Sequence, residues 1–188
     1  MNWISISQFM IEFALSIRTP AERNGIWGIE AEVNSGEFDR RDAIMNWRIR
    51  QAVLSDIEWL VRVDPIAAKD HGRRAQIERA VVGRECWVAC ETNDPSVPIG
   101  YGCLDKSFFG EWFIPLVVVS NAHGRSGAGR QIVAHLEHCS SARKIFTSTN
   151  TSNTPMRQLL VQLGYQYSGT VENLDPGDPE LILVKFLN

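Results

Sequence analysis

The segment Val117–Arg130, VVVSNAHGRSGAGR, constrains the fold of this chain more than any other. Leu116-Val117-Val118-Val119 is an uninterrupted aliphatic run. A short run of that kind reads as a strand buried on both faces. Directly after it the pattern changes. Gly124, Gly127 and Gly129 break the run, and Ile132, Val133, Leu136 and Cys139 recur at helical spacing over residues 127–139. A buried strand that turns through glycines into a helix must lay that helix over the sheet. The next strand, expected over 144–148, then lies parallel to the first.

The same turn carries chemistry. The first amides of a helix lack intrahelical partners, and the helix dipole is positive at that end, so the position suits a phosphate. Gly124, Gly127 and Gly129 let the backbone approach an anion closely, and Arg125 and Arg130 add positive charge. Two familiar phosphate loops fail on spacing. A Walker loop requires Lys-Ser/Thr after its second glycine, which is missing here. A dinucleotide fingerprint starting at Gly127 requires a glycine at 132, where Ile132 stands. From the glycines alone, a plain tight turn remains the alternative.

The rest of the chain alternates short elements. Residues 47–52 read as a strand. Ser55-Asp56-Ile57-Glu58 reads as a capping box opening a helix with Ile57, Leu60 and Val61 inward. A second helix is expected over 72–82, stopping at Gly83. Residues 85–91 and 98–106 read as a hairpin around Asn93-Asp94-Pro95-Ser96. Strand 111–119 follows. Asn153 reads as the cap of a helix with Met156, Leu159, Leu160 and Leu163 inward and Gly164 at its end. Strands 165–171 and 180–187 close the chain. The fold class expected is a mixed α/β (α+β) domain with a largely antiparallel sheet and one parallel crossover.

Composition narrows the function. Among 188 residues, 44% are hydrophobic and 22% charged, which allows a sizeable core. A net charge of -3 argues against a general nucleic-acid binder. No stretch is apolar and long enough to span a bilayer, and Met1–Ile17 lacks the basic start and cleavage site of a signal peptide. Cys86, Cys90, Cys103 and Cys139 form no C-x-x-C pair, which points to a reducing, cytoplasmic compartment. His135, His138 and Cys139 share a helix without metal-ligand spacing, so no metal is expected.

Residues 1–45 read differently from 46–188. Trp3, Ile6, Met10, Phe13 and Ile17 fall near helical spacing, while 18–42 show little periodicity. Met45-Asn46-Trp47 repeats Met1-Asn2-Trp3. The segment is either an artefact of start-site assignment, with the natural start at Met45, or a helical appendage that pairs two copies into a homodimer.

Residues 47–188 resemble the GNAT superfamily of acyl-CoA N-acyltransferases. Gly127-Ala128-Gly129-Arg130 matches the end of that family's pyrophosphate loop, R/Q-x-x-G-x-G/A, although Gly124 stands at the Arg/Gln position and the nearest arginine, Arg125, comes one residue later. Ile49-Arg50-Gln51-Ala52 with Asp56 is similar to the first strand and helix. Cys86-Trp87-Val88-Ala89 through Ile99-Gly100-Tyr101-Gly102 is similar to the second and third strands, and Asn153 through Gly164-Tyr165 to the second conserved block. Glu172-Asn173-Leu174-Asp175-Pro176-Gly177-Asp178-Pro179-Glu180-Leu181 resembles the tail of a bacterial subset.

The resemblance implies acetyl-CoA as cosubstrate. Val117, Val118 and Val119 would meet the pantetheine arm. Gly124, Arg125, Ser126, Gly127, Ala128, Gly129 and Arg130 would hold the pyrophosphate, and Asn153 would contact the CoA arm. The family's base often sits on the 111–119 strand. Glu111, on the same face as the matching position Phe113, is the candidate here. The family's acidic tyrosine is replaced by Leu160, which leaves Tyr165 as a weak substitute.

Acetyl transfer to a small-molecule amine is the expected reaction. Protein N-acetylation and a non-catalytic acyl-CoA-binding module are the alternatives. Glu172, Asp175, Asp178 and Glu180 suggest a cationic acceptor if they border the acceptor cleft.

Overall fold

The structure is a computed structural model and describes residues 47–187. The helix expected near Met1 and the rest of the 1–45 extension lie outside the described residues.

Seven strands form one sheet in the order β1-β2-β3-β4-β5-β7-β6. They are β1 (Trp47–Gln51), β2 (Cys86–Glu91), β3 (Pro98–Phe108), β4 (Glu111–Val119), β5 (Lys144–Asn150), β6 (Gln166–Val171) and β7 (Glu180–Phe186). Every neighbouring pair is antiparallel except β4 and β5. The helices are α1 (Ile57–Val63), α2 (His71–Val82), α3 (Ala128–Ser140) and α4 (Thr154–Gln162). The parallel crossover β4–α3–β5 is the one that the Val117–Arg130 pattern requires.

One face of the sheet packs against α1 and α2. Leu60, Ile77, Val88, Tyr101 and Cys103 are closed there to water. The other face receives α3. Gly100 and Gly102 make that contact close, because a Cβ on Gly102 would lie 2.6 Å from Ile132 Cγ2 and 2.9 Å from Leu136 Cδ1. Two glycines on one face of β3 therefore form the seat for α3.

Local details differ from expectation in several places. The turn before α1 is fastened by Asp56, whose Oδ2 accepts from Val53 N–H at 2.8 Å, and a 3-10 turn over Leu54–Asp56 precedes the helix. Glu58 is drawn away by Arg74, so the Ser55–Glu58 capping box does not form. Asp70 caps α2 through Gly72 N–H and Arg73 N–H. Cys139 is only half-buried beside His135, and Ser140 takes the buried place at the end of α3. On α4 only Leu160 is fully buried. β3 runs two residues beyond the expected 106, to Phe108. Phe108 stacks on Phe113 at 5.2 Å and packs on Phe146 at 4.9 Å, which keeps the strand end in place.

Candidate active site

The glycine turn leaves a helix start open. Gly127 is the N-cap of α3 with φ 86° and ψ -6° and has no side chain to cap the helix, and the Ser126 hydroxyl accepts from Ala128 N–H at a long 3.4 Å. A Cβ at Gly127 would meet nothing within 4 Å. Glycine is needed there for its left-handed backbone, and the space above the turn is open. Arg125 also takes a positive φ, 60°. The turn is anchored from two sides. Trp47 Nε1 donates to Ser126 O at 3.4 Å, and His123 packs edge-on against Trp47 while Ser120 Oγ and His123 Nδ1 lie 2.7 Å apart. Arg130 donates to Gln162 Oε1 on α4 at 2.7 Å. The first amides of α3 thus lie at an open, positively polarised mouth between α3 and α4.

β4 then parts from β5. The two strands pair only at Phe113–Phe146 and Ile114–Thr147. Opposite β3, Cys103 pairs with Leu116 and Asp105 with Phe113, so β4 carries one extra residue there. That is a β-bulge, and Pro115 sits in it without an N–H to donate. Beyond the bulge, Leu116–Val119 keep their ladder to β3, while the edge toward β5 has no strand partner among the described residues. A cleft of about 260 Å³ opens along this edge, floored by Ile114–Val118 and Thr147–Asn150.

The two walls of the cleft differ. On the α4 side stand Asn153 and Met156. Asn153 accepts from Met156 N–H at 3.3 Å as the cap of α4, so it serves as helix cap and cleft wall at once. On the other side stand Asp64, Arg73 and Glu180. Asp64 is 2% exposed. Its Oδ1 accepts from Ile66 N–H at 2.8 Å and Ala67 N–H at 3.2 Å, and its Oδ2 accepts from the Tyr101 hydroxyl at 2.7 Å. Burial, with Asp64 beside it, pushes the Tyr101 phenol far above its ordinary range. Glu180 opens β7 opposite Asn150. Burial raises its carboxyl above the ordinary carboxylate range. Asp175 and Asp178 act in the same sense, while the Ser148 hydroxyl and Arg73 act against it.

The acidic loop before β7 is tied down. Asp178 accepts from Ser152 N–H at 2.9 Å and from the Ser152 hydroxyl at 2.6 Å. Asn150 Nδ2 donates to Asp175 Oδ2 at 2.9 Å. Thr151 N–H donates to Pro179 O at 2.8 Å. These carboxylates fasten the loop to the β5–α4 turn and set Glu180 at the cleft.

Val117, Val118 and Asn153 line the cleft, while the glycine turn follows the same strand past Val119 and lies outside the cleft lining. Glu111 and Tyr165 fall elsewhere. Glu111 sits at the start of β4 in an ion pair with Lys144 at 2.9 Å. Glu180 faces the far end of β5 from Lys144, so the two carboxylates stand roughly 20 Å apart along the strand. Tyr165 is 4% exposed and packs under Lys185, outside the cleft lining. Burial first, and Glu137 second, push its phenol far above the ordinary range. Leu160 is fully buried. Pro115 within an apolar strand was a legible signal for the bulge. Arg73 had no signal in the sequence pattern, because its place depends on how α2 docks. Among the described residues no group of His, Cys, Asp and Glu is placed to hold a metal. No helix among them is long and apolar enough to cross a membrane.

A sheet split by a bulged strand, whose far end turns through glycines into a helix, is the architecture of the described residues. The chain belongs to the GNAT acetyltransferase family, whose model matches residues 47–165. A GNAT-family acetyltransferase from Bacillus cereus ATCC 10987 is similar, with 30% identity, 76% of this chain and 98% of that chain covered, and a TM-score of 0.68. The Salmonella typhimurium protein yncA, solved with its cofactor acetyl-CoA, shares the fold at 17% identity, 76% and 95% coverage and a TM-score of 0.60. Arabidopsis thaliana NAA60, solved with a bisubstrate analogue, shares it at 15% identity, 76% and 98% coverage and a TM-score of 0.60. No curated protein matches the chain in sequence.

Proposed function

We propose that this chain transfers an acetyl group from acetyl-CoA to the primary amine of a small molecule, by direct attack in a ternary complex. The observation that carries the reading is the cleft itself. It has an unpaired strand edge along its floor and a half-buried carboxylate on one wall, and the strand of that floor leads into the glycine-led start of α3.

The residues present fit acetyl-CoA. The amides of Ala128, Gly129 and Arg130 would hold the pyrophosphate, with Gly124 to Gly127 shaping the turn and Arg125 nearby. The free edge of Leu116–Val119 would pair with the amides of the pantetheine arm, and Asn153 would flank it. Bound there, the cosubstrate supplies an acetyl thioester.

Glu180 is the base. A carboxylate whose proton affinity is raised by burial is better matched to taking a proton from an amine near neutral pH than an exposed one. The amine nitrogen forms a bond to the acetyl carbonyl carbon, the carbon–sulfur bond breaks with its electron pair going to sulfur, and Glu180 takes the proton from nitrogen. A thiolate with ordinary acidity takes its proton from water, so the loss of the tyrosine at Leu160 does not block the reaction. Glu111, held by Lys144 at the far end of the sheet, has no part in this step. The free cysteines Cys86, Cys90, Cys103 and Cys139 support a cytoplasmic setting for it.

The test is thiol release from acetyl-CoA over amino acids, polyamines, aminoglycosides and peptides. Turnover on a small amine, lost in Glu180→Gln, is the expected result. Turnover on peptides alone would turn the reading toward protein N-acetylation. Tight CoA binding without turnover on any amine would leave a binding module.

A further inference from the structure

Arg73 and Glu180 line the same small cleft, and although Arg73 favours the Glu180 carboxylate from a distance, no hydrogen bond or ion pair joins them among the described residues. The ion contact of Arg73 is with Asp64, whose Oδ2 lies 3.7 Å from Nε, beyond hydrogen-bond distance. Asp64 has already filled its oxygens with two backbone amides and the Tyr101 hydroxyl. It holds the guanidinium in place without satisfying it. Arg73 Nη1 donates to Gln76 Oε1 at 3.1 Å. Among the described residues Nη2 has no acceptor. The cleft therefore presents one guanidinium with donors to spare and one carboxylate with acceptors to spare, on the wall away from α4.

Each single-sign acceptor meets a conflict there. A polyamine would place a second positive charge against Arg73. The nearby loop carboxylates, Asp175 and Asp178, are engaged by Asn150 and Ser152. An acid without an amine would have nothing to acetylate. A molecule carrying both groups satisfies both side chains. Guanidinium geometry also favours a carboxylate, which can take two parallel N–H donors.

We propose that the acceptor is a free amino acid, with Arg73 binding its carboxylate and Glu180 receiving its amine. This rests on the acetyl-transfer reading above and names the substrate class for that site. It also replaces the cationic acceptor that the run of acidic residues suggested. A protein N-terminus has an amine without a neighbouring carboxylate, so Arg73 also separates this acceptor from a peptide.

The experiment compares three forms of each side chain on the full chain: the free amino acid, its carboxamide and its decarboxylated amine. Two readouts are taken, binding to the CoA-loaded protein by calorimetry and thiol release with acetyl-CoA. The expected result is tighter binding and higher kcat/KM for the free amino acids, by about tenfold or more over the matched amide and amine. In Arg73→Met that ratio collapses, chiefly through KM. In Arg73→Lys, which keeps the charge without the fork, it falls part of the way. The melting temperature of each variant is measured with and without CoA to confirm a folded cofactor site. If Arg73→Met does not fold, the Arg73→Lys ratio and the wild-type ratio decide. Equal binding of all three forms by the wild type overturns the proposal, as does an unchanged ratio in both variants. Arg73-dependent binding of amino acids without thiol release would keep the carboxylate site and overturn the transfer reading instead.

Discussion

The Thr147 hydroxyl donates to the Ile114 carbonyl at 2.9 Å, at the last paired position before β4 and β5 diverge. Both residues are buried. The bond closes the base of the cleft and occupies a carbonyl that water cannot reach. Thr147→Val keeps the shape and removes the donor. It should cost about 1–3 kcal/mol, because a buried carbonyl loses its partner. CoA affinity should fall as well, since the strands can part further down. Denaturant titration and CoA calorimetry measure the two effects. Wild-type stability in the valine variant would show that the strands are set without this bond.

Cofactor binding should raise stability by a predictable amount. A ligand that binds only the folded chain at about 100 times its Kd adds roughly 2.7 kcal/mol. Gly127→Asp should abolish that gain. The substitution places a carboxylate over the anion site, on a left-handed residue that aspartate tolerates better than most side chains. Gly127→Asn provides the comparison, because asparagine tolerates the same φ without the charge. Thermal shift with and without acetyl-CoA is the measurement. Equal shifts in the aspartate variant and the wild type would reduce the turn to a connector.

Glu180 links activity to pH and to stability with opposite consequences. Its raised carboxyl should place the acid limb of kcat/KM above the ordinary carboxylate range. The folded chain holds the Glu180 proton more tightly than the unfolded chain. Stability from this group is therefore full below the unfolded pKa and is lost as pH rises through the folded pKa. At neutral pH the half-buried Glu180 carboxylate works against folding. Glu180→Gln should lower kcat by about 10²–10⁴-fold and leave stability at neutral pH unchanged or higher. A glutamine variant that is active, or one that is clearly less stable at neutral pH, would remove Glu180 from the base position.

The order of elements was legible wherever a strand or helix carries its own period and its own stop. Alternate burial of Ile145, Thr147 and Thr149 follows a period of two, and Ile132, Val133 and Leu136 follow the helical one. The glycine turn was legible for the same reason: Gly127 leads directly into a helical pattern. The proposed base was not. Strand counting points to Glu111 on β4, whereas Glu180 opens β7; the bulge at Pro115 divides β4, and Lys144 holds Glu111 at its closed end. Glu180 looks like one more acidic residue of a turn until Asp175 and Asp178 are seen to be engaged elsewhere. Leu160 stands buried at the position where the resemblance expects a tyrosine, and the Tyr165 ring lies under Lys185, outside the cleft lining. Arg73 reaches the cleft only through tertiary docking of α2, which no local pattern encodes.

Asp178 gives the last prediction, and it separates a fastening role from a substrate-attracting one. Its two oxygens take the Ser152 amide and hydroxyl, while the carbonyl of Asp178 accepts from Asn150 Nδ2 at 3.3 Å. The loop is thereby joined to the turn that leads into α4, and Glu180 follows two residues later. Asp178→Ala should lower stability modestly, by roughly 0.5–1 kcal/mol, since these bonds lie near solvent. The larger effect should fall on kcat, because Glu180 loses the support that sets its position, with KM for acetyl-CoA nearly unchanged. Asp178→Asn keeps an acceptor for the Ser152 amide and should recover much of the rate. If Asp178 instead served by attracting a cationic acceptor, the asparagine variant would be as impaired as the alanine one, and the loss would lie in acceptor KM and fade with added salt. Steady-state kinetics at low and high ionic strength on the two variants distinguish these outcomes.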